Sequence, residues 1–149
     1  MKVKEVINKC IDLLEVDSTK EELVDCYNVV EHELALDYLP LYHTHKCNST
    51  NVSYSDLEYD PVRIVSCNCQ FKLYPTHIES HELMTSITYA YTPNKKKLYD
   101  ECSYDEKFFN CLVYGTISEY LICQGFFEEA ALWGKKYKKE LQNWYDGVL

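Results

Sequence analysis

The side chains best equipped for chemistry fall in the middle of the chain. His43, His45 and Cys47 alternate in LYHTHKC, Cys67 and Cys69 alternate again in VSCNC, and His77 and His81 follow. Imidazoles and thiols are soft ligands, and on a strand positions 43, 45 and 47 face the same way, so His43, His45 and Cys47 are the residues that would meet a zinc ion. The gaps, however, depart from the usual spacing of two to four residues between zinc ligands. The same residues would suit a thiol nucleophile, Cys47 or Cys67 beside a histidine, but no third group presents itself to orient the pair. The reading is therefore of a chain without a metal, a cofactor or a catalytic site.

Other constellations point the same way. There is no phosphate-binding Gly-x-x-x-x-Gly-Lys loop, no Gly-x-Ser-x-Gly elbow, no His-Glu-x-x-His helix and no dinucleotide fingerprint. With four glycines in all, phosphate-cradling loops have little to be built from. The carboxylate pairs Glu21-Glu22 and Glu128-Glu129 fall in the first turns of predicted helices, where they complement the positive end of the dipole.

Composition bounds the rest. The 149 residues are those of one ordinary α+β domain, with 46% hydrophobic and 26% charged residues. No apolar run is long enough to span a bilayer, and Glu5 and Asp12 interrupt the apolar pattern of MKVKEVINKCIDLLEV, so no signal peptide is expected there. The eight cysteines are scattered through every kind of segment, which suits reduced thiols serving as small apolar side chains. The net charge is −9 and Arg63 is the only arginine, a poor basis for binding nucleic acid through its phosphates. Fourteen tyrosines exceed what one small core will hide, and tyrosine suits surfaces that are packed at one end and wet at the other.

The elements follow from periodicity. Val3, Val6, Ile7, Cys10, Ile11 and Leu14 recur at helical spacing over 3–15. Ser18 with Glu21 fits a capping box for a second helix carrying Leu23, Cys26, Tyr27, Val30 and Leu34, limited by Pro40. The short joint predicts a helical hairpin over 1–39. Residues 41–60 are polar and without helical period, an extended excursion or long loop. Within 41–93, the runs 62–73 and 84–91 alternate and are rich in β-formers, predicting a small antiparallel sheet of three or four strands, with PTHIESHE as a connection. Ser103 or Asp105 would cap a third helix bearing Phe108, Phe109, Leu112, Tyr114, Ile117, Tyr120 and Leu121, which Gly125 stops. A fourth carries Ala130, Ala131, Gly134, Tyr137, Leu141 and Trp144, completing a second hairpin over 103–146. The expected fold is α+β and mainly helical, a β insertion between two helical hairpins.

At the C-terminal hairpin the residues resemble a known family. The order Tyr114-Gly115, Glu119-Tyr120, Gly125, Glu129-Ala130-Ala131, Trp133, Tyr137 is similar to that of head–tail adaptor (head completion) proteins of tailed bacteriophages. Pro61-Val-Arg-Ile-Val65, Lys72-Leu-Tyr-Pro75 and Ile87-Thr-Tyr-x-Tyr91-x-Pro93 resemble the β insertion of that group. The resemblance touches roughly the last 90 residues, while the eight cysteines and the 41–60 excursion depart from the family pattern.

The resemblance implies a non-enzymatic virion protein, made in the host cytoplasm and placed in the neck. There such subunits form a ring, commonly twelvefold, between the portal protein and a stopper or tail-terminator protein. DNA passes through the ring without specific binding, and no membrane is involved. An acidic surplus lining that channel would repel phosphates, which a basic lumen would refute. Ring closure needs two different complementary patches per subunit. The expected partner-binding residues are Trp144, Tyr145, Val148 and Leu149 in the C-terminal tail, with Tyr42, Tyr54 and Tyr59 in the excursion. Other readings are a different neck or tail ring component, such as a tail terminator, and a soluble protein-binding module working through its tyrosines.

Overall fold

The computed structural model describes residues 1–15 and 19–149. The fold is mixed α+β, 47% helical and 28% strand. The chain divides into two compact units, a helical one from Met1–Leu34 with Lys95–Leu149 and a sheet unit from Ala35–Asn94.

In the helical unit, α1 (Val3–Leu14) buries Val3, Val6, Ile7 and Cys10, the stripe that the spacing predicts. Its first turn is closed by the Lys2 amide, which donates to Glu5 Oε2 at 2.8 Å. α2 (Lys20–Glu33) buries Leu23, Cys26, Tyr27, Val30 and Glu31. The expected cap Ser18 lies outside the described residues; at Thr19 the hydroxyl accepts the Glu22 amide at 3.2 Å. α2 does not run on to Pro40 but gives way to a π-helical turn at Leu34–Tyr38.

Helix α3 (Phe109–Cys123) buries Cys111, Leu112, Val113, Gly115, Thr116, Ile117, Tyr120 and Leu121. Those positions cover most of its circumference, as suits a helix packed on several sides: α1, α2 and α4 (Phe127–Gln142) all pack on it. Phe108, expected inside this helix, precedes it in a 3₁₀ turn, where the Asp105 carboxylate accepts the Lys107 amide at 3.1 Å. At Gly115 a Cβ would stand 2.9 Å from Val30 Cγ1 and 3.0 Å from Tyr137 Cε1, so glycine is what lets α2 and α4 approach the same turn of α3. Gly125 stops the helix at φ 83, and the Phe126 amide reaches back to the Leu121 carbonyl at 2.9 Å. α4 buries Ala130 and Leu141, whereas Ala131 faces out and Trp144 lies beyond the helix end.

The sheet unit is built on one long strand. β4 (His77–Thr92) pairs antiparallel with β1 (Leu41–Ser53), β2 (Asp60–Cys67) and the short β3 (Lys72–Leu73). One expectation is narrowed here and one corrected. Of the two alternatives for the polar stretch after Leu41, the extended one holds and the loop does not: it is a strand as far as Ser53, with register irregularities between Lys46 and Asn51, and His77–Glu82, expected as a connection, is the first part of β4. One face carries the core of Val52, Leu57, Ile78, Met84, Ile87 and Tyr89. Along β4 the inward positions change from even (Ile78, Met84) to odd (Ile87, Tyr89), which takes one irregular step in a period of two. Thr85 and Ser86 lie at that step, and Asn68 Oδ1 accepts both of their amides, at 2.7 and 3.4 Å.

Candidate functional site

The β1 histidines and thiol do share a face. His43 pairs with Tyr89 and His45 with Ile87, both core residues of β4, and Cys47 packs on the same core. Their surroundings are those of packing groups. His43 meets the Tyr59 and Tyr89 rings edge-on at 5.1 and 5.8 Å, with its Nε2 3.1 Å from Glu58 Oε2. Cys47 donates to the Met84 carbonyl at 3.2 Å. His77 is stacked on Tyr74 at 4.8 Å and lies 3.0 Å from Glu79 Oε1. Among the described residues, no group of three or more His, Cys, Asp or Glu is arranged to hold a metal ion.

None of the eight cysteines is bonded to another; Cys102 is half-buried and Cys123 exposed, and the other six fall into two groups. In the helical unit burial pushes Cys10, Cys26 and Cys111 up to about 12, which keeps them protonated and inert. In the sheet unit Cys47, Cys67 and Cys69 are half-buried neighbours packed on one core. Partial burial, followed by the charges of Cys67 and Cys69, pushes Cys47 up.

The expected partner-binding residues divide between surface and interior contacts. Val148 is 98% exposed and Trp144 45%, the latter resting on Phe108 at 5.3 Å between ring centres with the Lys107 ammonium 5.4 Å above it. Leu149 is exposed and Tyr145 half-buried, its carbonyl accepting from Gln142 at 2.7 Å. Tyr42 is 54% exposed. Tyr54 and Tyr59 are turned to the sheet: the Tyr54 hydroxyl donates to the Tyr74 carbonyl at 2.8 Å, and the Tyr59 ring stacks on Tyr91 at 4.1 Å.

Two features escape sequence reasoning. Around the α3–α4 turn, Ile122, Phe126, Phe127 and Leu132 are all exposed, Phe127 by 67% and Leu132 by 61%. Phe126-Phe127 directly after a helix-stopping glycine is the signal that could have found them. The second is Glu31, 1% exposed, whose carboxyl accepts from the Tyr27 hydroxyl, the Ser103 amide at 3.1 Å and the Ser103 hydroxyl at 3.0 Å. It ties α2 to the segment leading into α3, and nothing in its spacing separates it from the surface carboxylates around it.

No protein-family model matches the chain, and no curated protein matches it. No helix among the described residues is long and apolar enough to cross a membrane.

Proposed function

We propose that the chain is a ring-forming adaptor subunit of a phage head–tail connector, bound to the portal on one side and to a stopper or tail protein on the other. The reading rests on the resemblance in residue order, and one observation carries it furthest. The signature residues of the hairpin are occupied in packing: Gly115 at the close approach of Val30 and Tyr137, Gly125 at the left-handed stop, Ala130 against α3 with its carbonyl accepting from Ser118 at 3.0 Å. The large apolar side chains around them, Phe126, Phe127 and Leu132, remain in water. Exposed apolar surface rimmed by Glu128, Glu129, Lys135 and Lys136 suits a protein partner.

The test is association with the portal protein encoded in the same genome, followed by light scattering and imaging of the complex. The expected outcome is a ring of adaptor copies on the portal, formed whether or not the isolated chain is a monomer. A chain that stays monomeric and leaves the portal bare removes the reading.

A further inference from the structure

Cys67 and Cys69 flank a residue that the sheet holds in place. Asn68 accepts the Thr85 and Ser86 amides through Oδ1, and its Nδ2 donates to the Leu83 carbonyl at 3.1 Å, so one side chain is fixed to β4 at three points. The Cys67 thiol points at Asn68 Oδ1 at 3.5 Å, and the Cys69 thiol at the Glu82 and Leu83 carbonyls at 3.9 and 4.0 Å. Both side chains pack on the core of the sheet unit, as does Cys47. Residues two apart on extended chain have Cα atoms no more than about 6.8 Å apart, and the chain bends at Asn68, so the pair falls within the span a disulfide bridges. Both thiols are partly open to solvent, unlike Cys10 and Cys111.

We propose that Cys67 and Cys69 form a thiol–disulfide site, closed by exchange with a small disulfide of the glutathione class. The Cys67 thiolate attacks one sulfur of the oxidant; the sulfur–sulfur bond breaks and a glutathione thiolate leaves, taking up a proton. The Cys69 thiolate then attacks the Cys67 sulfur of the mixed disulfide, expelling the second glutathione. The protein gives up two electrons and two protons, and glutathione disulfide becomes two molecules of glutathione. Asn68 is the positioning residue, because its bonds to β4 hold both sulfurs over the same stretch of strand. The site does not depend on the ring reading.

The experiment equilibrates the full chain with glutathione redox buffers, traps free thiols by alkylation, and maps tryptic peptides without reduction. Cleavage after Arg63 and Lys72 leaves both cysteines on the single peptide 64–72, whereas Cys47 begins the peptide 47–63. The expected product is peptide 64–72 carrying no alkyl group and lighter by ~2 Da than the unalkylated dithiol peptide. It should appear before glutathione adds to the exposed Cys123, and Cys47→Ser should leave it unchanged. Preorganisation makes closure at least about tenfold more favourable in the folded chain than in urea, and Asn68→Ala should remove most of that difference. Equal closure in folded and unfolded chain, a first disulfide joining peptides 47–63 and 64–72, or prior modification of Cys123 would each overturn the proposal.

Discussion

Glu31 shows how one buried polar group organises the helical unit. Its carboxyl takes hydrogen bonds from Tyr27 and from both the amide and hydroxyl of Ser103, so removing it strands donors that have lost water. Glu31→Ala is expected to cost about 3 kcal/mol of stability by urea unfolding, and Glu31→Gln, which keeps an acceptor, distinctly less. The buried thiols act through protonation. In the unfolded chain a cysteine ionises near its ordinary 9.0, but Cys10 and Cys111 in the folded protein hold their protons to about 12. Above the unfolded value the folded state therefore binds more protons, and stability falls as pH rises through that interval. The urea midpoint should decline between those values, and Cys10→Ala with Cys111→Ala should flatten the decline. At lower pH both states carry the thiol proton, and this contribution is fully present.

At the scale of elements, α3 depends on Gly115. Alanine there gains helix propensity of about 1 kcal/mol but drives a methyl into Val30, whose β-branched side chain is stiff in a helix. Overpacking of this kind typically costs 1–3 kcal/mol, so Gly115→Ala should be destabilising by about 1 kcal/mol net in thermal unfolding. The helices were legible because their apolar residues dictate a period: α1 shows one stripe, and α3 is apolar nearly all round. β1 was not, since it alternates His43, His45 and Cys47 inward with Thr44, Lys46 and Asn48 outward, and neither set is strongly apolar. Its first half is held straight by pairing with Tyr89 and Ile87 on β4, a long-range fact. The first part of β4 hid for a related reason. Pro75 precedes it, Ile78 is its one large apolar residue before Leu83, and its inward set changes parity near Thr85. The alternation of His43, His45 and Cys47 correctly placed them on one face. What those side chains touch there, and the part Asn68 plays, are set by tertiary neighbours.

For the whole molecule, the exposed turn between α3 and α4 is where association and stability can be separated. Phe127→Ser removes a largely solvated ring, so the folded chain should keep its melting temperature to within a few degrees. On the adaptor reading proposed above, the same change should weaken capture by the portal at least about tenfold in pull-down or interferometry. The division of the chain has a further consequence, for synthesis. The helical unit takes residues from both ends, whereas the sheet unit is continuous from Ala35 to Asn94. On the ribosome α1 and α2 thus emerge long before α3, the helix that covers their apolar stripes. At about 5–20 residues per second, the nascent chain carries those stripes uncovered for several seconds. The sheet unit meanwhile has all its strands and is expected to fold first. Chains stalled once Asn94 has cleared the exit tunnel but α3 has not should therefore resist protease across 41–92 while 3–33 is cut, and a holdase that binds exposed helices would find its target in that interval.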